Sequence, residues 1–255
     1  MKKIIKYILL DILKNKIIIG YTGLLMVVSM SLFLLEDNSA KAMLGLLNIS
    51  LMIVPLVSII FCTIYLYNSS EFIELLVAQP IRRTKLLTGI YLGLVASLLL
   101  ATGIGIGIPV LLYSPDASGL TLVLTASALS IVFASLALVG SVITRDKAKG
   151  IGLALLLWFY FSFIYDGLVL MMLFQFADYP MEKPMLAMSM LNPIDLGRIL
   201  LLLQLDISAM MGFTGALFRD FFGSSQGIIS AAVVMVFWMA IPALFAIRKF
   251  NNKDL

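Results

Sequence analysis

Asp166 is the one charged residue inside an apolar run long enough to cross a bilayer, in the stretch WFYFSFIYDGLVLMMLF. A carboxylate at that depth is expensive, so it must face other helices or water. It has two chemical uses, a proton or cation relay and a hydrogen-bond staple between helices or subunits. No other span offers a basic or histidine partner, so the staple is the reading that the residues favour. The chain has no histidine and a single cysteine, Cys62, itself within an apolar run. An internal disulfide and a Cys/His metal site are therefore excluded. The fifteen methionines raise Cu(I), which thioethers suit; Met185, Met188, Met190, Met210 and Met211 fall close together. With no dense MxxM cluster beside a His or Cys, they read as fillers of apolar interfaces. Gly103-Ile-Gly105-Ile-Gly107 does not fit GxGxxG and follows no strand. Glycines at this spacing let helices approach closely in lipid. No P-loop, HExxH, Cys-x-x-Cys or serine elbow occurs, so the expectation is a chain with no catalytic residue, no metal and no cofactor of its own. ATP-driven motion would need a nucleotide site on another subunit.

The elements that position these residues are membrane spans. Of the 255 residues, 62% are hydrophobic and 13% charged, whereas soluble domains are about 45–50% apolar and about 25% charged. A span needs ~20 apolar residues, and six runs qualify: 17–35, 43–67, 86–112, 119–143, 151–174 and 228–247. The fold class is an all-α integral membrane protein, one transmembrane domain over 1–255. Pro55, Pro109 and Pro242 fall inside spans and predict kinks, because each leaves a carbonyl for neighbours to satisfy. Lys2, Lys3, Lys6, Lys14, Lys16, Arg82, Arg83, Lys85, Arg145, Lys147, Lys149, Arg248, Lys249 and Lys253 fall on one side of these spans. Only Lys41, Lys183, Arg198 and Arg219 fall on the other, which accounts for all 18 basic residues. The positive-inside rule makes the first side cytoplasmic, with both termini there. The basic start and Ala40-Lys41-Ala42 could suggest a cleaved signal, but a run of this length exceeds the roughly 7–15 residues of a signal core, so span one reads as uncleaved.

Three stretches lie between or before the spans. Residues 1–16 form a basic amphipathic elbow, with Ile4, Ile5, Ile8 and Ile12 along one side, expected in the headgroup layer. Residues 68–85 form a cytoplasmic loop that opens as a short helix. Asn68 is placed to cap it with Glu71 at the third position, and Glu71 and Glu74 suit the positive end of its dipole. Phe72, Leu75, Leu76 and Gln79 share one face, Pro80 stops the helix, and Arg82, Arg83 and Lys85 return the chain to the membrane surface. The outer segment 175–227 holds a helix opened by Asn192-Pro193. Asp195, Arg198 and Asp206 mark one side of it; Leu196, Ile199, Leu200, Leu203 and Ile207 mark another. It reads as amphipathic helices on, or dipping into, the outer leaflet, with a lid over the bundle as a compatible reading.

Six spans, an amphipathic start, a cytoplasmic helix after span two and a helical outer segment resemble the ABC-2 type permeases of ABC transporters. Glu71 through Arg83 looks like that family's coupling helix: an acid, then Leu-Leu, then proline, then arginine. Where the family carries Gly-Lys, Leu87-Thr88-Gly89-Ile90 stands here. Within the family, Leu191-Asn192-Pro193-Ile194-Asp195 with Arg198, and the later Asp206-Ile-Ser-Ala-Met-Met-Gly, resemble permeases of the NosY type. The resemblance implies a non-enzymatic, homodimeric subunit in a bacterial inner membrane, surrounded by lipid and without nucleic-acid partners. A NosF-like ABC ATPase, holding ATP and Mg, would grip Glu71, Phe72, Glu74, Leu75, Leu76, Pro80, Arg82 and Arg83. A NosD-like periplasmic β-helical copper-handling protein would dock at Asn192, Pro193, Asp195, Arg198, Gln204 and Asp206, in the maturation of nitrous-oxide reductase. The alternatives are an ABC-2 exporter of a lipid, drug or glycan, and an ion-coupled transporter using Asp166.

Overall fold

The computed structural model describes residues 2–36, 38–77, 82–176, 179, 182–204 and 225–251. Among these, all regular structure is helical. Six stretches are long and apolar enough to cross a membrane: Lys16–Leu35, Ser39–Asn68, Arg83–Tyr113, Ala117–Ile143, Lys147–Gln175 and Gly227–Asn251. They coincide with the six predicted runs, each extended by a few residues. Gln79, Pro80, Asp206 and Arg219 lie outside the described residues.

The elements run in order as α1 (Lys2–Leu13), α2 (Lys16–Leu35), α3 (Ser39–Asn68), the short α4 (Ser70–Val77) and α5 (Arg83–Thr102). A π turn, Gly103–Gly107, joins α5 to α6 (Ile108–Tyr113), and α7 (Ala117–Ile143) follows. A second π turn, Tyr160–Ile164, joins α8 (Lys147–Phe159) to α9 (Tyr165–Gln175). Then come α10 (Glu182–Leu191), α11 (Pro193–Gln204) and α12 (Ser225–Asn251). Polar side chains start several of these helices: Asn15, Asn38, Asp116 and Asp146 each accept a backbone N–H in the first turn, as capping requires.

The uncharged α7 is the hub. It packs on α3, α5, α11 and α12, and 67% of its most apolar stretch is buried, against 17% for each of the fifth and sixth spans. Its sequence is rich in Ala, Ser and Gly, and small side chains are what allow helices to close up where lipid supplies no hydrophobic drive.

The glycine run sits where close approach is needed. Pro109 has no N–H, and the turn before it widens, with Ile108 N–H bonding to the Gly103 carbonyl. A Cβ on Gly105 would come within 2.6 Å of the Leu25 Cβ on α2 and 3.1 Å of the Thr22 carbonyl. A Cβ on Gly103 would meet nothing within 4 Å. Gly105→Val should therefore push α2 off the bundle at a cost of about 1–3 kcal/mol, while Gly103→Val should be nearly silent. Thermal unfolding of the two variants in detergent checks the contrast.

The elbow differs from its predicted setting. Ile8 and Ile12 are fully buried as α1 packs along α5, so these isoleucines face protein rather than headgroups. Among the α1 side chains that the structure describes, Tyr7 and Leu10 are the exposed apolar ones.

Candidate functional site

The end of the bundle that carries α4 is tied together by polar side chains. Asn68 does not cap this helix. It belongs to α3, and its side-chain oxygen accepts from Lys147 Nζ at 2.7 Å. The Ser69 carbonyl instead takes the Ile73 N–H, so α4 starts one residue later than the spacing predicts. Ile73 is the side chain that anchors α4 to the core, with Leu76 half-buried beside it. Phe72 and Leu75 point away, 41% and 69% exposed, and Glu71 and Glu74 are exposed with them. The face assigned to Phe72, Leu75 and Leu76 is thus divided: Leu76 turns inward. Phe72 stacks on Tyr7 of α1, ring centroids 5.9 Å apart, a contact that spacing within the loop alone does not reveal. Arg82 is exposed just before α5, and Arg83 is its first residue.

Around this knob the helix ends are cross-linked. Tyr65 donates to Asp11 at 3.1 Å, joining α3 to α1. Tyr67 donates to the Thr144 carbonyl at 3.1 Å and also meets the Thr144 hydroxyl. Its ring fills the space in which a Cβ on Gly150 would stand. Thr84 and Asn251 bond each other, tying α5 to α12. Asp146, exposed at the start of α8, is held below the usual carboxylate range first by the Lys149 N–H. Between α4 and the end of α7 lies a cavity of about 320 Å³, lined by Leu66, Tyr67, Glu74, Ser141, Arg145 and Phe250 among others.

At the opposite end, α10 and α11 make a hairpin with a 112° bend. A chain that reverses within lipid must satisfy its own backbone, and here the neighbours supply the partners. The last carbonyls of α10 are taken by Tyr165, whose hydroxyl donates to Met188 O at 2.6 Å, and by Trp238, whose indole N–H reaches Met190 O at 3.3 Å. The first turn of α11 is capped by Asn192, whose Oδ1 accepts from Ile194 N at 3.0 Å. The Asn192 Nδ2 donates to the Phe161 carbonyl at 2.9 Å and to Asp195 Oδ2 at 3.0 Å. Phe161 lies in the second π turn, where the widened ladder leaves carbonyls for such donors.

Asp166 is a staple here, and its partner comes from the hairpin. Arg198 Nη1 donates to Asp166 Oδ2 at 3.1 Å and pairs with Asp195 Oδ1 at 3.2 Å. The sequence reading assigned Arg198 to an outer surface and so left Asp166 without a cation. Of the two compatible readings of α11, a helix in the outer leaflet and a lid over the bundle, the packing of its apolar side on protein fits the lid. Pro193, Ile194, Leu196, Gly197, Ile199 and Leu201 are buried, and a Cβ on Gly197 would lie 2.6 Å from Thr125 Cγ2 of α7. Asn192 is fully buried, so it and Pro193 build the hairpin instead of offering a surface; Gln204 is exposed at its end. Tyr165 and Trp238 were missed, although a tyrosine hydroxyl or indole N–H in an apolar span usually needs a partner.

An all-helical bundle with polar, cross-linked ends and an uncharged hub is a multi-pass membrane protein. The chain belongs to the ABC-2 transporter family: residues 24–255 match the family described as "ABC-2 family transporter protein". It is similar to the "Probable ABC transporter permease protein NosY" of Stutzerimonas stutzeri, 25% identical over 233 residues that cover 82% of this chain and 79% of that protein. This family supplies the membrane-spanning permease of an ABC transporter, which implies an ABC ATPase as partner.

Proposed function

We propose that the chain is a NosY-like permease that transmits ATP-driven motion from a cytoplasmic ATPase to a partner on the far side of a bacterial inner membrane. The observation that carries this reading is α4: a short helix anchored by Ile73 that leaves Leu75 bare, and Phe72 part-exposed against Tyr7, beside two exposed carboxylates. Such a knob suits helix-in-groove recognition. ATP and Mg belong to the NosF-like ATPase, and hydrolysis there moves α4. The cross-links from α4's surroundings to α1, α3, α8 and α12 pass that movement into the bundle. At the other end it reaches the α10–α11 hairpin, where the exposed Gln204 and half-exposed Arg198 adjoin the segment that a NosD-like partner would contact. The chain works as a homodimer, and the apolar, largely unburied faces of the fifth and sixth spans supply surface for a second copy. The similarity to a NosY permease supports copper-site maturation of nitrous-oxide reductase as the process served.

The test is topological. In a Cys62→Ser background, Glu74→Cys should react with a membrane-impermeant maleimide only after the cells are opened. Cys62 is buried, so its removal leaves the surface unchanged. Labelling of Glu74→Cys in intact cells would put α4 on the wrong side and end this reading. Recovery of a β-helical periplasmic protein with the native complex would support the assigned process, and its consistent absence would count against it.

A further inference from the structure

Beside the Asp166–Arg198–Asp195 cluster lies a cleft of about 170 Å³, lined by Asn48, Leu51, Met52, Ser162, Phe163, Ile194 and Arg198. Three groups on its wall have hydrogen-bonding capacity that no described residue uses. Both ion pairs of Arg198 run through the same nitrogen, Nη1, which leaves the Nη2 and Nε protons unassigned in a side chain 34% exposed. Ser162 Oγ is buried and has no partner among the described residues. The Asn48 amide makes no hydrogen bond among the described residues and is exposed. Unpaired polar groups in an apolar setting each cost about 1–3 kcal/mol, so an occupant rich in acceptors is favoured.

The charge and depth of the cleft narrow the occupant. Two carboxylates already share one guanidinium, so the cluster offers no net positive charge to an anion. Asn48 stands nine residues in from the start of α3, and Asp166 nine residues from the end of α9, which is about 14 Å by helix rise. The 30 residues of α3 span about 45 Å against a hydrocarbon core of about 30 Å. The cleft therefore lies several ångströms below the headgroups, at the level of ester linkages and upper acyl chains. Its rim is apolar and open sideways: Met52 and Phe163 are exposed, and Trp158 stacks edge-on to Phe163 at 5.6 Å.

We propose that this cleft holds the glycerol-ester region of one membrane lipid from the leaflet on the hairpin's side. Its neutral ester carbonyls accept from Ser162, Asn48 and the unused N–H groups of Arg198, and an acyl chain lies along Met52 and Phe163. The lipid thereby becomes part of the support for α11.

Native mass spectrometry of the full chain, extracted from membranes with its partners, tests this. The probes are phosphatidylglycerol with ester-linked chains and the same lipid with ether-linked chains, which lacks the carbonyls. The ester lipid should survive activation as one bound copy per chain and should outcompete the ether lipid by about tenfold, the worth of one or two neutral hydrogen bonds. The Ser162→Ala, Asn48→Leu double variant should lose that preference while its thermal unfolding changes little. Equal retention of ester and ether lipid by the wild type would overturn the proposal, and this arm needs no variant to fold. Displacement of the lipid by inorganic phosphate would overturn it in favour of a soluble anion. Met52→Trp fills the cleft and should expel the lipid; if it splits the dimer and leaves the lipid count unchanged, a second copy occupies the cleft and the proposal fails.

Discussion

Leu75→Asp is expected to release the ATPase subunit while every span remains inserted. Leu75 is the most exposed apolar side chain on α4, at 69%, and makes no contribution to the buried core. Its loss therefore costs the fold little. At an interface the same change is severe. Truncating a central apolar contact costs about 2 kcal/mol or more, roughly a thirtyfold loss of affinity, and an aspartate adds the penalty of burying a charge. A combined loss on the order of a hundredfold is expected, read as the fraction of ATPase that co-purifies. Leu76→Asp makes the informative contrast. Leu76 packs against the core, so that variant should lower the unfolding temperature as well as the yield of complex. Full co-purification by Leu75→Asp would show that the ATPase grips some other surface.

The second large effect is expected at Asn192. Asn192→Leu removes the cap on α11, strands the Phe161 carbonyl at a buried site, and takes a donor from one oxygen of the part-buried Asp195. Lost caps cost about 1 kcal/mol and stranded buried acceptors about 1–3 kcal/mol each. A total of about 3–5 kcal/mol would lower the unfolding temperature by on the order of 10 °C for a chain of this size. Tryptophan fluorescence is a suitable readout, because Trp238 holds the end of α10. Asn192→Asp keeps the capping oxygen but adds a third carboxylate beside Asp195 and Asp166. Its deficit should shrink as pH falls and the cluster takes up a proton. An Asn192→Leu protein as stable as the wild type would mean that the hairpin is held elsewhere.

The spans were legible because bilayer thickness imposes a length that tertiary packing does not alter. The run Ala117–Ile143, uncharged throughout, could be little else. The short helix α4 was legible as an element from the loop at 68–85, but the face it buries was not. Spacing identified an apolar face through Phe72, Leu75 and Leu76. Which apolar side chain becomes the anchor depends on the corner that α3 and α5 make around the helix, and that corner favours Ile73. Asp166 was legible as a staple from its cost in lipid. Its partner was hidden because Arg198 sits on a segment too polar to read as buried. The hairpin brings it to Asp166 through a combination that no local pattern encodes: a sharp bend, a π turn on another helix, and an asparagine that satisfies both. Asn192-Pro193 did mark the start of α11, since capping chemistry is local.

One consequence concerns α7. A hub surfaced mainly by short side chains presents low corrugation to the helices around it. Sliding along its axis by an ångström or so has few long side chains to unlock, Phe133 chief among them, whereas leaning away from it would open voids that lipid tails cannot fill cheaply. The bundle is consequently compliant in one direction and rigid in the others, and a load applied at one rim travels as a glide parallel to the membrane normal.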